Sequence, residues 1–207
     1  MTSDEAVTEQ DTETTEQGGT VEATGPYDVD ELPDADIERV DLGSLLIAPF
    51  SGRDLRVHYD EESGEVRGVQ LVDEQGDVDL RAFAAPRGGD LWGEIRPQIA
   101  AEASRLGGNA TEREGRFGTE LLCEVPATLP DGGQVVQLRR IVGVNGPRWL
   151  LRATFTGAPA EDEAVAAVWD DALAQVAVRR GGHAMPVGEQ LDLRLPDGAV
   201  RQEGGHG

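Results

Sequence analysis

Four arginines, Arg139, Arg140, Arg148 and Arg152, fall within fourteen positions of the stretch QLRRIVGVNGPRWLLRATF. A guanidinium is planar, always charged, and carries donors in a fork that fits carboxylate or phosphate oxygens two at a time. Gathered on an open surface, such residues bind an oxyanion; beneath one, they hold carboxylates of the chain itself. The surroundings sharpen the choice, because the 207-residue chain has a formal charge of −22.

The element that must position these arginines is a hairpin. Asn145-Gly146 between two alternating apolar runs is a strong signal for a two-residue loop. That loop fixes a register in which Val144 faces Pro147, Val142 faces Trp149, Arg140 faces Leu151 and Val136 faces Phe155, all toward a core. The other face then sets Arg139 opposite Arg152, with Arg148 near the turn. Two opposed arginines destabilise a sheet unless an anion lies between them. The anion is either a carboxylate of the chain, from residues 25–41 or from Asp170 and Asp171, or a ligand. Arg140 is the exception within its own face, so it reaches past Leu151 to the sheet edge or is turned outward by a bulge.

Other chemistries find little support. The 18 basic residues are all arginine, and with no lysine present neither a P-loop nor a pyridoxal Schiff base can be built. Cys123 is the sole cysteine, which excludes an intramolecular disulfide, and its setting in TELLCEVPA reads as core. His58, His183 and His206 lie far apart and at no metal-ligand spacing. No nucleophile elbow or dinucleotide loop occurs, so neither a catalytic residue, a metal nor a cofactor is expected. The negative field disfavours nucleic acid. No apolar run is long enough for a membrane span and the first residues lack a signal-peptide pattern, so the chain reads as cytoplasmic.

Charge and hydropathy divide the chain. Residues 1–41 hold fourteen Asp and Glu against the single Arg39. Residues 1–25, rich in Thr, Glu and Gln, have almost nothing to bury and read as a disordered acidic arm, in which Thr14 and Thr15 are candidate phosphorylation sites. Residues 26–41 read as an acidic extended segment over the surface of a single globular domain spanning 26–196, and 197–207 as a flexible tail. Within the domain, GSLLIAPF, RDLRVHYD, EVRGVQLVD and VDLRAFAAP read as an antiparallel meander of about four strands. A helix follows from an Asp90 cap to Gly107, kinked or split at Pro97, with Leu91, Ile95, Ile99, Ala103 and Leu106 on its stripe. In the next strand Leu121, Cys123 and Val125 share a face with Phe117. A second helix in AEDEAVAAVWDDALAQV has Val165, Val168, Trp169, Ala172, Leu173 and Val176 on its apolar stripe. The fold class is α+β, a mainly antiparallel sheet of about six to eight strands flanked by two main helices.

Five phrases, IERVDLGSLLIAP, LRAFAAPRGGDLWGEIRPQIA, EGRFGTELLCEVPA, VGVNGPRWLLRATFTG and VAVRRGGHAMPVGEQLDLRLP, resemble in collinear order the actinobacterial domain-of-unknown-function 3710 family. That resemblance implies no activity, cofactor or catalytic residue. The order of elements is also similar to the Mog1 and PsbP type of α-β-α sandwich, at the level of fold alone. The functional expectation is a non-enzymatic binding or adaptor module that uses Arg139, Arg148 and Arg152 to hold an unknown protein partner. The alternative is an enzyme or sensor for a phosphorylated small molecule such as a nucleotide.

Overall fold

A computed structural model of the chain describes residues 25–33, 37–60, 65–128 and 131–195. Thr14 and Thr15, the acidic arm up to residue 24 and the tail from 197 lie outside the described residues, while Gly25, the last residue of the expected arm, is buried.

Seven strands make the main sheet, each pairing antiparallel with its neighbours. They are β4 (Asp54–Tyr59), β5 (Val66–Val72), β6 (Gly76–Ala84), β7 (Asn109–Gly115), β8 (Gly118–Thr128), β9 (Gln134–Asn145) and β10 (Trp149–Gly157), in the spatial order 4-5-6-10-9-8-7. A second sheet of four short strands has the order 1-11-3-2: β1 (Tyr27–Asp28), β2 (Val40–Asp41), β3 (Leu45–Ile47) and β11 (Ala177–Val178). Two expectations change here. The strand in GSLLIAPF leaves the meander for this small sheet, and the acidic 26–41 segment supplies two of its strands as well as surface cover.

Period-two alternation gives the main sheet two apolar surfaces. On one face Val69, Leu80, Trp149, Leu151 and Phe155 form the larger core with Leu45 and Val178 of the small sheet and with Trp169 and Leu173. The last two belong to α3 (Glu163–Ala174), which follows the single turn α2 (Ala158–Glu161). Asp162 caps α3 by accepting from the backbone of Ala164 and Val165. Val168 departs from the expected stripe and is 49% exposed, whereas Ala166 and Asp170 turn inward. Arg53 closes this side, stacked 4.0 Å over the Trp169 ring and paired at 3.2 Å with Asp73.

On the other face α1 (Leu91–Arg105) packs Leu91, Trp92, Ile95 and Ile99 against Leu121, Cys123, Val125, Ile141 and Leu150. Asp90 caps it as expected, and the helix runs unbroken through Pro97. Phe117 does not join this face; it packs with the larger core, because the tight turn before Gly118 separates it from the alternation of β8.

The small sheet is clasped by charge. Arg179, just after β11, donates to both Asp41 carboxylate oxygens at 3.0 and 2.9 Å, and the Gly43 backbone adds a third bond to that carboxylate. Burial alone would raise the Asp41 pKa, but those hydrogen bonds and the charges of Arg179 and Arg194 outweigh it and hold the pKa below its ordinary value. A carboxylate depressed on folding stabilises the fold above its unfolded pKa, and that share is lost as pH falls through the folded one. Asp41→Asn is therefore expected to lower the melting temperature at neutral pH and to show a smaller further drop below pH ~4 than the wild type. Parallel loss curves for the two proteins in melts across that range would contradict the assignment.

Candidate functional site

The hairpin of β9 and β10 keeps the expected faces but not the expected partners. Asn145 pairs with Leu150, Gly143 with Arg152, Ile141 with Thr154, and Arg139 with Thr156, so the register is displaced by two residues along each strand. A two-residue loop would need the Val144 carbonyl to accept from residue 147, which is proline and has no N–H. The chain closes two residues later, with Gly146 N donating to Trp149 O at 2.7 Å. An even shift leaves each residue on its own side. Arg139 and Arg152 are therefore not opposed.

Arg152 does face an arginine, on its other side. In the pairing of β10 with β6 its partner is Arg81. The two lie on the part of the sheet that α1 leaves open, where β4, β5, β6 and β10 present a polar floor. Arg81 is satisfied, donating from Nε to Asp79 Oδ1 at 2.8 Å. A polar chain runs beside it: His58 Nε2 meets Gln70 Oε1 at 2.9 Å, Gln70 Nε2 donates to Asp77 Oδ1 at 2.8 Å, and Thr156 Oγ1 donates to Asp77 Oδ2 at 2.6 Å. Gly68 keeps the floor low, since a Cβ there would come within 3.2 Å of Asp79 Oδ2.

Unlike Arg81, Arg152 has no carboxylate of its own among the described residues. Its guanidinium lies 5.2 Å from the centre of the Phe83 ring, and its Nε is hidden from solvent with no acceptor. Burial pushes its pKa below the ordinary guanidinium value, the charge of Arg81 adds to that, and Asp79 opposes it. A half-buried cation with an idle donor beside a second cation is the arrangement that an incoming oxyanion relieves. Its supports are rigid, because Gly143 on the far side of Arg152 lies directly beneath the ring of Trp92 at the start of α1.

The other arginines of the stretch are placed elsewhere. Arg139, half-buried, donates from Nε and Nη2 to Gln137 Oε1 at 3.1 and 2.9 Å and lies across from Cys123, whose thiol is pushed up by burial and only partly eased by the Arg139 charge. Arg148 is exposed at the end of the sheet, where Nη2 donates to Gly181 O at 3.3 Å. Arg140 neither reaches the sheet edge nor sits on a bulge. It is 2% exposed beneath α3, held by Glu120 and Asp170. Asp170 thus answers Arg140, and Asp171 pairs with Arg116 at 2.6 Å. The partner of Arg152 that sequence reasoning missed, Arg81, was visible in the alternation of VDLRAFAAP, which sets Asp79, Arg81 and Phe83 on one side.

Among the described residues no group of three or more His, Cys, Asp or Glu is placed to hold a metal ion, and no helix is long and apolar enough to cross a membrane.

The model of a family described as protein of unknown function (DUF3710) matches residues 25–202. The chain belongs to the DUF3710 family. No curated protein matches the DUF3710 chain. Among solved structures it is similar to the solution structure of cyanobacterial PsbP (CyanoP) from Synechocystis sp. PCC 6803, at 11% identity and a TM-score of 0.37, over 71% of this chain and 96% of that one. A protein from Bacteroides thetaiotaomicron VPI-5482 is similar at 14% identity and a TM-score of 0.36, over 70% of the DUF3710 chain and 52% of its own. Likeness at this level carries no argument about function.

Proposed function

We propose that the chain is a cytoplasmic, non-enzymatic binding module that receives a protein partner on the open sheet face, with an acidic or phosphorylated group of that partner set between Arg81 and Arg152. One observation carries the reading: Arg152 is directly opposed by Arg81 and has a sheltered Nε with no acceptor. A carboxylate or phosphoryl oxygen there would accept from Arg152 and offset the repulsion between the two cations. The surrounding His58, Gln70, Asp77 and Thr156 hold one another and offer no activated nucleophile, so the face suits recognition better than catalysis.

The sheltered Nε–H of Arg152 gives a direct readout, a side-chain resonance of its own in ¹⁵N spectra. Titration with inorganic phosphate is expected to shift that resonance saturably, and the Arg81→Ala/Arg152→Ala variant is expected to lose the partners that the wild type retains in quantitative pull-downs. An unmoved resonance together with an unchanged set of partners would remove this face from the proposal.

A further inference from the structure

A second site lies at the end of the sheet, away from the open face. There β1 and the turn after it form one wall of a cleft of about 540 Å³, and Arg148 with the Arg179–Gly182 segment forms the other. That volume falls within the range of small-molecule sites, roughly 300–1,000 Å³.

The charges of this cleft divide into used and unused ones. Asp28 is committed, its Oδ2 accepting from Trp149 Nε1 at 2.8 Å and its Oδ1 from Asp30 N at 3.1 Å. Arg179 is committed to Asp41 and to the Gly43 carbonyl. Four charges remain. Arg148 and Arg180 donate only to backbone carbonyls, of Gly181 and His183, both at 3.3 Å, and Arg180 Nε is hidden from solvent without an acceptor. The exposed residues Asp30 and Glu31 line the same cleft. No ion pair joins the two walls among the described residues, so the unlike charges face a common space without meeting across it.

A simple anion drawn to Arg148 and Arg180 would meet the acidic wall as well as the field of a chain with net charge −22. A simple cation would meet the two arginines. A small molecule that is itself zwitterionic satisfies both walls and, being neutral overall, escapes the long-range repulsion. We propose that this cleft binds a small zwitterion, its oxyanion held by Arg148 and Arg180 and its ammonium group by Asp30 and Glu31. The oxyanion is singly charged, a carboxylate or a phosphodiester. Gly181 and Gly182, without side chains, leave the backbone accessible beside it.

The test is calorimetric titration of the full chain at low ionic strength with two zwitterions neutral overall at about pH 7, γ-aminobutyrate and the phosphodiester glycerophosphoethanolamine, and with their half-probes, dimethyl phosphate, acetate and ethylamine. At least one zwitterion is expected to bind about tenfold or more tightly than every half-probe, and the one that does identifies the oxyanion. Arg180→Gln and Glu31→Gln are each expected to weaken that binding by about tenfold, the effect of one charge-assisted contact. Both residues lie at the cleft surface, and an unchanged melting temperature checks that the variants fold. Arg81→Ala/Arg152→Ala is expected to bind the zwitterion as the wild type does, so this site stands or falls separately from the open face. The proposal is overturned if neither zwitterion saturates, if a half-probe binds as tightly, if both Gln variants bind like the wild type, or if the Arg81 and Arg152 variant loses binding.

Discussion

Arg140→Ala is expected to lower the unfolding free energy by about 3–5 kcal/mol, the cost of breaking a buried ion pair by removing one partner. The arginine side chain is 2% exposed, and the two carboxylates it holds, Glu120 and Asp170, are 1% and 8% exposed. Nε and Nη2 donate to Glu120 Oε2 at 2.9 and 2.7 Å, while Nη1 and Nη2 donate to the two oxygens of Asp170 at 2.8 and 3.0 Å. Burial alone would lower the guanidinium pKa, but these bonds and charges outweigh it and raise it. Arg113 completes the arrangement at Glu120 Oε1, 2.5 Å away. Truncating Arg140 strands two carboxylates beneath α3, with Arg113 able to answer only one of them. The pinning of α3 to β8 and β9 would fail first. Urea denaturation should show the loss as a lower midpoint at an unchanged slope. Replacing the trio together, Arg140→Met with Glu120→Leu and Asp170→Leu, is expected to recover most of the stability, because an apolar set of similar volume carries no desolvation cost. A loss below about 1 kcal/mol for Arg140→Ala would place the cluster in the class of weak surface pairs and refute the assignment.

What the sequence made legible of this site was orientation rather than partnership. Alternation alone put Arg140, Val142, Trp149, Leu151 and Phe155 on one side and Arg139 and Arg152 on the other, and the structure agrees for each. The register did not follow, because Asn145-Gly146 signals a two-residue loop that Pro147, without an N–H, cannot close. A shift by an even count preserves faces and exchanges partners, so Gly143 takes the place beside Arg152 on β9, while the opposed arginine, Arg81, comes from the separate pairing with β6. Arg140 and its acids could not be read locally at all: Glu120 lies twenty residues away and Asp170 thirty, and only the packing of α3 on the sheet brings them together. The order of main-sheet strands after the meander was hidden for the same reason. β10 inserts between β6 and β9, a long-range pairing that no turn signal encodes.

The other large effect is expected where α1 meets the sheet beside Arg152. Trp92→Ala should cost about 3–5 kcal/mol, as for other buried large aromatics. The ring is 4% exposed, its Nε1 donates to Thr119 O at 2.7 Å, and it lies flat on Gly143, where a Cβ would come within 2.1 Å of Trp92 Cδ2. Only a residue without a side chain fits beneath it. Gly143→Ala is therefore expected to cost about 1–3 kcal/mol by forcing the helix off the sheet. The helix has little freedom to comply, since Asn145 accepts from Trp92 N at 3.1 Å and donates to Asp90 Oδ1 at 2.7 Å, tying the turn of the hairpin to the cap of α1. Because both variants act on one contact, the double variant should lose less than the sum, with a coupling of about 0.5–3 kcal/mol measurable in a double-mutant cycle. Additive losses would show that ring and glycine act separately. Gly143 pairs with Arg152, so the same lift of α1 unseats the wall beside the proposed oxyanion site, and Gly143→Ala should reduce the phosphate-induced shift at Arg152 Nε.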